Sequence, residues 1–182
     1  MLQIENPAKP PAHGKGPTLP AFGKTETLRY LDERGIAYDL VEHEAVFTME
    51  GMDALELPFA HEVVKNLFLR DKKKRSYFLV VMDGHKTADL KGLRTALGSA
   101  PLTFASEEDL HALLGLHKGA VTPLGILNDD ARRVEVVLDA DLRGFAGVGV
   151  HPCDNTASIH LRLDDLLAVF VEHGTPYRFV AM

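Results

Sequence analysis

The run Val63-Val64-Lys65-Asn66-Leu67-Phe68-Leu69-Arg70-Asp71 limits what this chain can fold into more than any other stretch. β-Branched and large apolar residues dominate it, and such a run reads as a strand. A cation and an amide, Lys65 and Asn66, interrupt it. A buried polar group left without a partner costs about 1–3 kcal/mol. The pair therefore either faces water across a sheet or lines a cavity that holds a polar ligand. Arg70-Asp71-Lys72-Lys73-Lys74-Arg75 follows, with five cations in six residues. It reads either as a solvated turn between strands or as a local patch that steers phosphate. Ser76-Tyr77-Phe78-Leu79-Val80-Val81-Met82 then returns as the antiparallel partner. It is apolar nearly throughout, so both of its faces are expected to be covered.

The rest of the chain is placed around this hairpin. Residues 1–20 hold five prolines and no hydrophobic period, which reads as a flexible N-terminal arm. From Ala21 to Arg34, Phe22, Leu28 and Leu31 fall near helical spacing, with Gly35 as the C-cap. Ile36 to Val41 reads as a strand with Ile36, Tyr38 and Leu40 on one face. Thr48 caps a short helix through Leu57, stopped by Pro58. Asp89 to Leu97 is helical and ends at Gly98. Ser106-Glu107-Glu108-Asp109 has the form of a capping box and opens a helix that Gly115 closes.

Lys118 to Ile126 reads as a Gly/Pro-punctuated loop with strand fragments. Arg133 to Leu138 is a strand, and Ala146 to Val150 is a glycine-rich strand of the kind that allows close backbone approach. Thr156 to Leu161 is a further strand, Asp164 to His173 an amphipathic helix ended by Gly174, and Tyr177 to Val180 the last strand. Strands and helices mix without a βαβ rhythm. The expectation is an α+β fold: a single compact domain over 21–182, with a mixed or mostly antiparallel central sheet surrounded by helices.

A chain of 182 residues suits one domain with a full core. The net charge of −6 argues against a protein that coats nucleic acid by bulk charge, since that requires many Lys and Arg contacts to phosphate. It leaves room for a protein that grips a few nucleotides at one end. No apolar run approaches the roughly 20 residues that span a bilayer, so no membrane partner is expected. A single cysteine and the lack of an apolar signal region suit the cytoplasm.

Several chemistries fall away. His61-Glu62-Val63-Val64-Lys65 begins like a zinc-protease helix but carries Lys where the second His belongs. His151-Pro152-Cys153 lacks the further soft ligands of a deaminase zinc site. The nine histidines show no metal spacing, and no metal is expected. There is no Walker or Rossmann phosphate loop and no Gly-x-Ser-x-Gly elbow. Cys153, two residues from His151, reads as a nucleophile or as a small buried apolar residue. What survives is a polar set without an obvious nucleophile: Lys65, Asn66, Thr122, His151, Asn155, Thr156 and Ser158. Each of these, taken singly, also fits a turn, a cap or a structural histidine.

Five segments in order resemble a known family: Val64 to Leu69, Lys86 to Lys91, Leu102 to Ser106, Gly119 to Gly125 and His151 to Thr156. They are similar to the freestanding Ala-tRNA(Pro) deacylases, relatives of the editing domain inserted in bacterial prolyl-tRNA synthetases. The likeness runs from about Phe22 to Val180. It implies hydrolysis of the ester between a wrong amino acid, alanine above all, and the terminal adenosine of tRNA(Pro). No cofactor is expected. The family's lysine falls on Lys65, its asparagine on Asn66 and its histidine on His151, which gives the expected catalytic set. Its Gly-x-x-x-Pro loop falls on Gly119, Ala120, Val121, Thr122 and Pro123, and these with Asn155 and Thr156 are the expected substrate-binding residues. Lys72, Lys73 and Lys74 are the expected tRNA contacts. The partner is the tRNA(Pro) acceptor end carrying a small amino acid, with prolyl-tRNA synthetase as a second candidate. The competing reading, from another class, is a non-catalytic module that binds nucleic acid, tRNA ends or free amino acids.

Overall fold

A hairpin built on the central apolar run organises the molecule. The computed structural model describes residues 22–182; the arm expected over 1–20 lies outside the described residues. β2 spans Val64–Asp71 and β3 spans Tyr77–Asp83. They pair antiparallel, with Lys65 opposite Met82 and Asn66 opposite Val81. Residues Tyr77 to Met82 are all buried, as an apolar strand covered on both faces requires.

β2 and β3 belong to a five-stranded mixed sheet in the order β4-β2-β3-β5-β8. β4 is Leu102–Phe104, β5 is Val134–Asp139 and β8 is Tyr177–Val180. β3, β5 and β8 run parallel to one another, and β4 pairs antiparallel with only the far end of β2. β1 (Tyr38–Glu42), β7 (Ala157–Leu161) and β6 (Val148–Val150) form a separate three-stranded antiparallel sheet. The expected α+β domain is thus built on two sheets. They touch where Val63 bridges to Gly149. A Cβ on Gly149 would come within 3.0 Å of the Phe59 ring, so the close approach expected of this strand is real.

Three core clusters hold these layers. The largest joins one face of the big sheet, through Phe68, Leu79 and Val81, to the small sheet and to α4 (Glu107–Leu114) and α5 (Leu163–His173). The opposite face buries Leu69, Phe78, Val80 and Val137 against Leu93 of α3 (Leu90–Leu97). A third cluster, Met52, Leu57, Phe59 and Val63, sits under α2 (Met49–Asp53). α1 (Lys24–Glu33) buries Thr27 and Leu31.

Local chemistry sets most boundaries. Asp89 caps α3 by accepting from the Lys91 N–H, and Ser106 caps α4 by accepting from the Asp109 N–H. Gly98, Gly115 and Gly174 end α3, α4 and α5 in the left-handed region. Three expectations are corrected. α2 stops at Asp53 rather than Leu57, and Glu56 just beyond it turns at φ 49°. β1 runs over Tyr38–Glu42 rather than from Ile36 to Val41, and it leaves Leu40 42% exposed. Pro123–Asn128 forms a 3-10 helix instead of strand fragments. Pro123 has a fixed φ and no N–H to donate, which suits the first position of a helical turn.

Candidate active site

Strand β2 starts beside β6, and the segment before α2 folds over the junction. A pocket of about 240 Å³ opens there. Lys65, Asn66, Gly119, Val121, His151 and Ser158 line it, closed on one side by Phe47, Met49 and Met52. Neighbouring strand residues project to opposite faces. Lys65 and Asn66 both reach this pocket because it lies at the end of the strand.

The Asn66 amide is fixed: its Nδ2 donates to the Val121 carbonyl at 3.0 Å. Its Oδ1 is buried and has no protein partner among the described residues. Lys65 is half-buried and forms no ion pair among the described residues. The pocket therefore presents one cation and one acceptor that the protein leaves unmet. Such groups at a cavity point to a ligand that meets them.

His151 lines the same pocket as this pair. Its Nδ1 lies 2.8 Å from the Ala157 carbonyl, which can only accept, so Nδ1 carries the hydrogen. The neutral ring then has its lone pair on Nε2. Burial pushes the His151 pKa below its ordinary value, and the neighbouring His43 adds to this. The bond to Ala157 and the charge of Asp154 oppose it. The His151 carbonyl is held in turn by the Thr122 hydroxyl at 2.6 Å.

The Gly119–Pro123 loop divides into two roles. Gly119 and Val121 face the pocket. Thr122 and Pro123 are buried behind it, Thr122 capping the 3-10 helix through a bond from the Leu124 N–H at 3.4 Å. Ala120 is buried, and its N–H donates to the His117 carbonyl at 3.0 Å, so it is not available to a ligand. The N–H groups of Gly119 and Val121 have no acceptor among the described residues. Gly119 takes φ 92°, and a Cβ there would stand 2.5 Å from the Phe47 ring.

Other expected residues lie further off. Asn155 braces the rim, exchanging backbone and side-chain hydrogen bonds with Val46 at 3.3 Å each. Thr156 is exposed, and its N–H and hydroxyl both donate to Asp154 Oδ1, which makes it a turn residue. Lys72, Lys73 and Lys74 occupy the opposite end of the hairpin, roughly 23 Å from Lys65 by strand rise. They are exposed, and Lys74 pairs with Asp109 at 3.0 Å. Cys153 packs against the main core at φ 59°, and burial pushes its thiol up to about 12. A thiol so protonated is no nucleophile at neutral pH.

Sequence reasoning missed His43, Phe47, Met49 and Met52. His43 donates from Nδ1 to the Glu44 carbonyl at 2.8 Å, which leaves Nε2 to accept from the Ser158 hydroxyl at 2.9 Å. Its ring centroid is 6.0 Å from that of His151. The strand pairing of β1 with β7 brings these together, with Val41 opposite Ser158. A second recess of about 400 Å³ lies by Phe59, Glu62 and His160. Two of its polar side chains are engaged with the protein: Glu62 accepts from His160 at 2.7 Å and from the Ala146 N–H at 2.7 Å.

The pocket thus brings an unpaired lysine, an oriented amide and a neutral histidine together at the junction of two sheets. The family model for the aminoacyl-tRNA editing domain matches residues 43–169. The chain belongs to that family and is by class an aminoacyl-tRNA deacylase. Among its relatives is the prolyl-tRNA editing protein ProX of Acetoanaerobium sticklandii, 43% identical over 159 residues, covering 87% of this chain and 97% of the relative. The prolyl-tRNA synthetase associated domain-containing protein 1 of Mus musculus is 36% identical over 155 residues, 82% of this chain and 89% of the relative. A solved structure described as a candidate trans-editing enzyme for prolyl tRNA synthetase shares the fold, with a TM-score of 0.66, 24% identity and coverage of 87% and 97%. No helix among the described residues is long and apolar enough to cross a membrane.

Proposed function

We propose that the protein edits mischarged tRNA(Pro) in trans, hydrolysing the ester that joins alanine to the terminal adenosine. The observation that carries this reading is the pair of unmet groups at the β2 end, Lys65 and Asn66 Oδ1, in one pocket of about 240 Å³ with a neutral His151. The similarity to a prolyl-tRNA editing protein supports tRNA(Pro) as the substrate.

An aminoacyl ester is already activated, so its cleavage needs a placed water and a stabilised oxyanion rather than a protein nucleophile. In this reading the Lys65 ammonium meets a phosphate or ribose oxygen of the terminal nucleotide. Asn66 Oδ1 accepts a hydrogen from the ribose or from the substrate's ammonium. The N–H groups of Gly119 and Val121 receive the carbonyl oxygen as it gains charge. His151 Nε2 accepts a hydrogen bond from the attacking water. Water oxygen bonds to the carbonyl carbon, the carbon–ribose oxygen bond breaks, and the leaving ribose oxygen takes up the proton that the attacking water gives up; alanine and tRNA are released. A free 2′-hydroxyl beside the ester assists this transfer. Full activity on a substrate lacking that hydroxyl would contradict the assistance.

Met49, Met52 and Val63 form the apolar wall that meets the amino-acid side chain. Proline exceeds alanine by two ring carbons, and each methylene is worth about 1–3 kcal/mol in such a pocket. Lys72 and Lys73 are assigned to the acceptor stem. Prolyl-tRNA synthetase, which makes the mischarged product, is the second partner, and the cytoplasm is the place of action. Incubation with Ala-tRNA(Pro), Cys-tRNA(Pro) and Pro-tRNA(Pro) tests the reading by ester loss. Release of alanine with proline retained is expected. Retention of all three esters would leave a binding module instead.

A further inference from the structure

We propose that Phe47 is the stacking platform for the terminal nucleobase of the bound tRNA end, an inference that deepens the deacylase reading and rests on it. Phe47 is the most exposed large apolar side chain among the described residues, at 70%. It is not a stray surface residue, because it lines the same pocket as Lys65, Asn66 and His151. Its ring lies directly against Gly119, where any Cβ would stand 2.5 Å from ring Cδ1 and 3.0 Å from ring Cε1. Gly119 at φ 92° thus offers bare backbone as a seat for the ring. The chain just before Phe47 is pinned as well: Val46 and Asn155 exchange hydrogen bonds at 3.3 Å through backbone and side chain. The ring is therefore braced from beneath and open to water above.

The pocket's size says what belongs on it. Sites that enclose a whole drug-sized ligand run to about 300–1,000 Å³. A cavity of about 240 Å³ takes an aminoacyl group and part of a ribose, and an attached base has to lie on the rim. The unmet cation and acceptor inside ask for phosphate or ribose oxygens, while the open aromatic face at the lip asks for a flat partner. One ligand supplies both, a nucleotide joined through its ribose to the ester. A base stacks on an aromatic ring whatever its identity, since every base has a π-face.

Titration of the trinucleotide rC-rC-rA, and of the same RNA with an abasic 3′ residue, separates the possibilities. Wild type should bind the intact RNA about tenfold more tightly than the abasic one. Phe47→Ala should erase that difference by weakening the intact RNA alone, Phe47→Trp should keep it, and Phe47→Leu should behave like Phe47→Ala. Melting temperatures of the variants are expected to match wild type, because the ring is exposed. Equal loss for both RNAs, full binding by Phe47→Leu, or a wild type that does not distinguish the RNAs would overturn the proposal. Deacylation of Ala-tRNA(Pro) by wild type is measured beside it. Base-dependent binding without alanine release would remove the deacylase reading and leave the stack; release without any dependence on Phe47 would do the reverse.

Discussion

His151 is held between opposing influences. Burial and the nearby His43 disfavour its charged form, while the Ala157 carbonyl and Asp154 favour it, and the balance lowers its pKa. A His titrates near 6.5 when unfolded. Between that value and the lower folded one, the unfolded chain binds more protons, so stability falls as pH drops below about 6.5. His173 shifts in the same direction and adds to the fall. Activity that needs neutral His151 should hold flat from pH 8 through 6.5 and decline only beneath it. The profile of kcat/KM on Ala-tRNA(Pro) checks this, and an inflection at or above pH 6.5 that vanishes in His151→Asn would contradict it. The residue types in the pocket were legible early because Lys65 and Asn66 break an apolar strand. Nothing in the sequence marks Phe47 or His43 in this way, since an exposed aromatic and a single histidine are ordinary on a surface.

Among the elements, the helices were the most readable part of the chain. Asp89, Ser106, Gly98, Gly115 and Gly174 each carry a local signal that acts within one turn of the residue itself. The 3-10 helix at Pro123–Asn128 was not readable, because glycine and proline punctuate loops and tight helical turns alike. Two glycines separate structure from function. Gly98 has φ 61° with open space around it, whereas Gly119 has φ 92° with the Phe47 ring against it. Gly98→Ala should cost about 1 kcal/mol of stability through the left-handed backbone and leave kcat/KM unchanged. Gly119→Ala should lower kcat/KM at least tenfold, since the Cβ must displace Phe47 or the loop. Comparing the two variants by melting temperature and by kinetics tests the distinction. Equal kinetics in both would mean that the seat under Phe47 plays no part in the reaction.

For the whole molecule, the fold class was legible and the division into two sheets was not. Strand pairing joins residues far apart in the chain: β1 meets β7 across more than a hundred residues, and β3 meets β5 in parallel. Local pattern contains no record of such pairs. The same long-range pairing seats His43 on Ser158, whereas the local β2–β3 hairpin puts the basic turn at its end far from the pocket. That distance decides what the turn does. Lys74 is engaged by Asp109, which leaves Lys72 and Lys73 as the cations proposed to meet a stem. Changing Lys72, Lys73 and Lys74 together to Ala should raise KM for charged tRNA, leave kcat in place and flatten the salt dependence. An unchanged KM at low salt would make the turn a solvated surface only. The central claim is that deacylation takes place where β2 begins, and Lys65 tests it most directly. Measured on Ala-tRNA(Pro) with the melting temperature alongside, Lys65→Ala should lose roughly 10²-fold in kcat/KM, about 2.7 kcal/mol, with the fold intact. Lys65→Arg should recover little of it, because the planar guanidinium presents its donors differently. Near-parent kinetics in Lys65→Ala, with any loss confined to thermal stability, would contradict the account.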